Sequence, residues 1–408
     1  MNFLKNFPSE KELILWSSNL DLPYFHKVNC HVHTPYSFSA FESIDQIFRM
    51  ANDEDVVVVG INDFFVTDGY DEFYKKALSL KVFPEFNIEF IGLLKEEQKK
   101  GIRVNDPNNP GRTYFCGKGL DYPFHLSEEN KRLLNNVIIS SQLQLKSMID
   151  KLNDILQKIN SPFLLDFEEI KEQFAKELVR ERHIAKAIRF YTNEYFSNDD
   201  EKRDFYNKLF NEKSLKANLS NFTEVEEEIR ANLLKAGGIA FVPETEEAFL
   251  PIEIIIDIII DAGGIPCYPV LLDDKNGNFT EFEKDITKLI NRLKDLKVSC
   301  IEVIPNRNSI EKLNFFVEEM SCNDFVVLAG SEHNTPAMIP LSLKARNGDL
   351  NEFLLNEFYE GACIIAAHQY LKANNKIGVI MNNGQFDIEN KEYYIELGNA
   401  IINYYKNN

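Results

Sequence analysis

Lys27-Val28-Asn29-Cys30-His31-Val32-His33-Thr34-Pro35-Tyr36-Ser37 is the stretch on which the reading of this chain turns. It begins as a strand-like run and ends in two histidines two residues apart. On a strand, residues i and i+2 project from one face, so both imidazoles reach a single metal ion from the strand's end. The bare pair reads equally well as two hydrogen-bonded polar histidines, and its surroundings have to decide.

Working outward, a helical pattern follows Glu42, then the apolar run DVVVVGIND (55–63), a second helix from about Asp71, and FPEFNIEFIGLL (83–94). Strands apolar on both faces alternating with amphipathic helices indicate βαβ units around a parallel sheet. The alternation resumes with GGIAFV (237–242), GGIPCYPVLL (263–272), VSCIEVIP (298–305) and FVVLAG (325–330), and several such units imply a barrel. From Ser127 to Leu234 the sequence is charged and helix-favouring with almost no strand signal. The expected organisation is a barrel from 24–126 and 236–408, with a helical insertion at 127–235. Such modules sit over the C-terminal strand ends, where barrels bind ligands. The segment NDPNNPGRTYFCGKGLDYP (105–123) reads as a loop, with Arg112 and Lys118 among turn-forming residues.

Composition excludes several classes. The chain has 408 residues, 44% hydrophobic and 27% charged, enough for one large α/β domain. A net charge of −19 disfavours nucleic acid and anionic membranes as partners. The most apolar run, Pro251 to Gly264, is broken by Glu253, Asp257 and Asp261 and reads as a buried helix rather than a membrane span. The start, MNFLKNFPSEKELILW, has no uninterrupted apolar core, so a cytoplasmic protein is expected. Six cysteines without a CxxC pair point to free thiols. Asp273 and Asp274 follow a strand where barrels place catalytic groups, but a turn before Asn276 explains them equally. Nothing matches a nucleophile elbow, a P-loop or a dinucleotide fingerprint.

The run HVHTPYSFSA (31–40) resembles the first motif of the PHP (polymerase and histidinol phosphatase) family of metal-dependent phosphoesterases. VVVVGINDFFVTDGYDEF (56–73) is similar to its second motif, and FPEFNIEFIG (83–92) to its third, with Glu89 at the place of a metal-binding glutamate. VRERHIAKAI (179–188), GGIPCYPVLL and GSEHNTP (330–336) resemble later segments, in order. The resemblance implies a distorted (βα)7 TIM-like barrel of the PHP type holding one to three divalent ions of Zn, Mn or Fe. It also implies a metal-bound hydroxide that attacks the phosphorus of a small phosphorylated metabolite or nucleotide.

Carried over residue by residue, the resemblance makes His31, His33, Glu89 and His333 metal ligands and gives Asp63, Glu332 and His183 catalytic roles. Arg112, Lys118, Arg182 and Arg307 are the candidate phosphate grips, because guanidinium forks match phosphate oxygens. The chain departs from the family at Phe64, Tyr114 and Tyr268, where histidines are expected. Phenylalanine cannot ligate; the tyrosines can hydrogen-bond a phosphate or a bound water. Glu332 replaces an aspartate, and Asn334 falls at the family's last histidine. These losses motivate an alternative, a degenerate barrel that binds a ligand or partner protein without catalysis. His368, in an apolar helical stretch, reads equally as a core or a functional residue.

Overall fold

The computed structural model describes all residues except 1, 21, 22, 24 and 274–276 and the side chain of residue 246; Asp274 therefore lies outside the described residues. Among the described residues, seven strands run round one sheet in the order β1 (Lys27–Val32), β2 (Val56–Phe64), β3 (Phe83–Leu93), β4 (Arg112–Lys118), β5 (Ile265–Val270), β6 (Cys300–Val303) and β7 (Val326–Ala329), and the short strand Leu250–Pro251 pairs with the end of β3 off this path. The two edges meet beyond β7, where Val32 and Glu332 form a parallel bridge. There the Glu332 N–H donates to the His31 carbonyl at 2.9 Å, and the His33 N–H donates to the Glu332 carbonyl at 2.8 Å. The result is a distorted TIM-like barrel of seven strands with a helical insertion, as expected.

The strands form because their residues are buried on both faces. β2 is buried along its whole length, the pattern of a strand with helices outside and a packed interior. Ser43 caps the helix Ile44–Asp53 by accepting the Gln46 N–H, and that helix turns Ile44, Ile47, Phe48 and Ala51 to the sheet. The mostly buried helix Glu352–Ala373 lies against β7 and β1, with Lys391–Asn407 packed on it. Phe3, Leu4 and Leu13 also enter the barrel core, ahead of the expected boundary.

Two strand expectations need correction. GGIAFV (237–242) is not a strand: Gly237 has φ of 88°, and Ala240 is buried in the core of the helical insertion. The remaining strand is Arg112–Lys118, inside the stretch read as a loop, and it runs antiparallel to both β3 and β5. The turn-formers at 105–111 mask it. They return the chain directly, without the helical crossover that parallel pairing needs.

A second core, from Leu145 to Ala240, lies within the insertion. The 31-residue helix Glu128–Lys158 joins it to the barrel, giving Leu134 and Val137 to the barrel core and Leu145 to Leu156 to its own. At the far end of the connection, the Lys176 and Leu178 N–H groups donate to the carbonyls of Pro35 and Tyr36, at 3.2 and 2.9 Å. Residues 176–178 are thereby tied to the loop that follows the histidine pair. Among the described residues no helix is long and apolar enough to cross a membrane.

Candidate metal centre

His31 and His33 leave the end of β1, and Glu89 reaches them from β3. His31 Nε2 lies 3.3 Å from His33 Nε2, His33 Nε2 lies 3.0 Å from Glu89 Oε2, and the third side of the triangle is 3.8 Å. Ligands about 2.0–2.1 Å from a tetrahedral ion stand about 3.3–3.4 Å apart, so these atoms are spaced as three corners of such a shell. All three side chains are buried, and Glu89 Oε2 has no hydrogen-bond partner. A buried, unsatisfied carboxylate oxygen facing two imidazole nitrogens is what a divalent cation would satisfy. Gly330 makes room for this arrangement: a Cβ there would stand 2.2 Å from the His31 Cβ.

The other nitrogen of each histidine sets its tautomer. His31 Nδ1 donates to Glu302 Oε2 at 2.5 Å, leaving its Nε2 lone pair forward. Ser37 gives its proton to Asp63 Oδ1 (2.6 Å), so its oxygen accepts from His33 Nδ1 (3.3 Å). The Asn62 amide lies 3.0 Å from His31 Nε2 but also 3.4 Å from the Cys116 sulfur, an alternative acceptor. Beneath the triangle the barrel interior is polar. Lys118 is fully buried and donates to Glu302 Oε1 (2.6 Å), the Cys30 carbonyl (3.1 Å) and Asn62 Oδ1 (3.2 Å).

Burial pushes the His33 imidazole down to about 4, so the ring is neutral near pH 7, the form that ligates. Burial pushes Glu89 up to about 8 against the pull of His31, the behaviour of a carboxyl that lacks a full counter-charge. Glu302 behaves oppositely: burial works to raise it, but Lys118 and His31 outweigh that and hold it below its ordinary value.

Glu85, also fully buried, has one oxygen without a partner, and burial raises it to about 8. The folded chain therefore keeps this proton up to about pH 8, whereas the unfolded chain releases it near its ordinary value of 4.5. Folded protein binds more protons in that window, so stability falls as pH rises through it. Glu85→Gln removes this term. The variant should gain on wild type by about 1–3 kcal/mol between pH 5 and pH 8 in urea titrations, and a pH-independent difference would refute the assignment.

Several sequence expectations are not met. His333 has both nitrogens engaged, with Ser331 Oγ at 2.7 Å and the Ile339 carbonyl at 2.8 Å, so it has no lone pair for a metal. His183 is a helix cap: its Nδ1 accepts the Arg180 N–H at 2.9 Å. Asp63 accepts from the Thr34 N–H, the Thr34 hydroxyl and Ser37, and so organises the loop after β1 rather than acting on a substrate. Lys118 spends its protons inside the barrel and cannot hold phosphate. Arg112 is bound to Asp106 and Glu244. Tyr268 turns out of the barrel and donates to Glu283 at 2.7 Å. His368 is a core residue, donating to the Gly263 carbonyl and accepting the Val379 N–H.

Tyr114, Arg182, Arg307 and Glu332 do line the cavity of about 260 Å³ that opens beside Glu89. Arg307 grips both oxygens of Glu332, and Asn334 adds a bond at 2.9 Å. Glu332 and His333 both adopt left-handed backbone, with φ of 63° and 55°, a strained turn that carries the chain back against β1. The sequence reading missed Glu302, Asn62 and Arg180. A lone acid inside the apolar run Cys300–Val303 was the available signal for Glu302; nothing local marks the other two.

No family model matches the chain, and no curated protein matches it. Among solved structures, a Bifidobacterium adolescentis protein provisionally described as a metal-dependent phosphoesterase superposes with a TM-score of 0.53 at 13% identity, covering 81% of this chain and 94% of its own. An amidohydrolase from Chromobacterium violaceum, with bound sulfate and no metal, gives 0.47 at 13% identity over 78% and 90% of the two chains. Such identities bear on architecture alone: the chain has the barrel fold of the Bifidobacterium structure, the fold that its resemblance to the PHP family implies.

Proposed function

We propose that the chain is a metal-dependent hydrolase acting on a small phosphoester. The observation that supports this reading is the triangle of His31 Nε2, His33 Nε2 and Glu89 Oε2, with its unsatisfied carboxylate oxygen. A divalent Zn, Mn or Fe ion held there supplies a Lewis acid and a water activated at neutral pH.

The protein's own groups do the positioning. Glu302 and the Ser37–Asp63 pair keep both imidazoles in the ligating tautomer. Arg307 neutralises Glu332, so an anionic substrate does not meet an unpaired carboxylate at the cavity wall. Tyr114, whose hydroxyl burial pushes up to about 12, keeps its proton and stands at the cavity as a donor. The negative net charge and the cavity volume favour a small metabolite or nucleotide over a polymer.

One ion is the expected complement. Asp63 already accepts three hydrogen bonds, Glu332 is clamped by Arg307 and Asn334, and His333 has no free nitrogen. Elemental analysis after loading with Mn²⁺ or Zn²⁺ should find about one equivalent per chain, with phosphomonoester hydrolysis in the loaded protein. A chain that takes up no metal in excess Mn²⁺ or Zn²⁺ would be a binding barrel instead, the reading that Phe64 and Tyr114 favour.

A further inference from the structure

At the opposite end of the barrel from the metal centre, where β5, β6 and β7 begin, two cavities lie side by side. The first, of about 390 Å³, opens at Gly263 and Gly264, just before β5. The second, of about 470 Å³, opens at Ser299 and Phe325, just before β6 and β7. Residues 380–386 form a tight hairpin between them. Ile380 and Phe386 bridge antiparallel, the Met381 N–H donates to the Gln385 carbonyl, and the Gly384 N–H donates to the Met381 carbonyl, both at 2.8 Å. Met381 lines both cavities.

Ile260, Ile377, Met381 and Ile388 are 39%, 61%, 37% and 37% exposed, and all four lie along these two cavities. Single exposed apolar side chains are ordinary, but four around one hairpin beside two open cavities make a patch.

The charges beside that patch are divided by sign. Lys372 and Lys376 are the only charged side chains of the first cavity among the described residues. Lys376 is bound to Glu10, whereas the Lys372 ammonium stands 3.9 Å from Asp121, beyond hydrogen-bond reach. The second cavity carries three acids, Asp324, Asp387 and Glu389, against Lys294 and Lys297. Asp387 accepts from Tyr394 and Asn390, both at 2.8 Å, but Asp324 and Glu389 make no ion pair among the described residues. A basic flank and an acidic flank thus border one apolar centre, and a partner of uniform charge would meet its own sign on one side. A second copy would not. Turned about a two-fold axis at Met381, it sets its acidic flank on the basic flank of the first, and the reverse. An apolar centre with a charged rim is also the ordinary anatomy of a protein contact.

We propose that this face joins two copies of the chain about a two-fold axis at the 380–386 hairpins, Lys372 of each copy facing Asp324 and Glu389 of the other. The metal centres then lie at the outer ends of the dimer, because their ligands leave the opposite ends of the strands.

The test is sedimentation velocity over a concentration series of wild type, Met381→Glu, Lys372→Glu, Glu389→Lys and the double exchange Lys372→Glu/Glu389→Lys, with folding followed by circular dichroism. Wild type should sediment as a dimer, and Met381→Glu should raise the dimer dissociation constant at least about tenfold. Each single charge reversal should weaken association by about threefold or more, and the double exchange should recover most of that loss, because each reversed charge again meets its opposite across the axis. Wild type that stays monomeric up to about 100 μM overturns the proposal. So does a dimer whose affinity is unaltered in Met381→Glu, which would place the contact elsewhere. Additive losses in the double exchange overturn the two-fold pairing of the flanks. Should Met381→Glu fail to fold, Ile377→Glu, on the first cavity alone, decides in its place.

Discussion

Lys118→Met should unfold in urea with a loss of about 3–5 kcal/mol, the largest stability effect expected from any single change in this barrel. Lys118 is wholly buried, and its ammonium is the counter-charge of Glu302, which is equally buried. Taking these charges from water is expensive, and the pair is tolerable because each partner is saturated: Lys118 by three oxygens, Glu302 by Lys118 and His31. Methionine fills the volume but leaves the Glu302 carboxylate with the imidazole alone. Adding Glu302→Gln to Lys118→Met should recover much of the loss, since neither charge then remains. Independent, additive effects of the two substitutions would show that the pair does not organise the barrel interior.

His33→Ala should lower metal affinity by more than about 100-fold, while Glu302→Gln or Asp63→Asn should cost about 10–100-fold. The distinction follows from position. His33 Nε2 is a corner of the ligand triangle, whereas Glu302 and Asp63 act through the far nitrogens of His31 and His33. Chelator competition with elemental analysis reads the two ranges apart, and equal losses in all three variants would erase the division between ligand and orienting residue. Phe64, stacked on His33, keeps the site packed when the imidazole is removed, so the effect should fall on metal binding rather than on folding.

The alternation of apolar strands with amphipathic helices was legible because it is local, written in periods of two and 3.6 residues. It failed where local signals conflict. The turn-formers at 105–111 hid β4, and the β-branched and aromatic residues of GGIAFV imitated a strand that Gly237 and Gly238 bend into a helical core. Two corners of the candidate triangle, His31 and His33, were legible for the same reason, since they lie two residues apart at one strand's end; Glu89 came from its place in a resembling motif. The supporting groups were not. His183 and His333 sit in convincing motif context, yet the Arg180 N–H ties His183 Nδ1 into a helix start, and Ser331 and the Ile339 carbonyl engage both nitrogens of His333. Tyr268 stands at a plausible position but on the outward face of its strand.

By itself, then, the sequence determined the α/β barrel and the helical insertion, because their periods are local, while its resemblance to the family motifs singled out His31, His33 and Glu89 as candidate donors. Only the tertiary structure decided which charges are spent and which remain free. Closing the barrel brings residue 302 onto His31 and Lys118, and the insertion carries Arg180 to Phe64. Partners so distant in the chain meet through the closed geometry of the sheet, and burial then makes each such pairing decisive, since an unmatched charge in that interior would cost several kcal/mol.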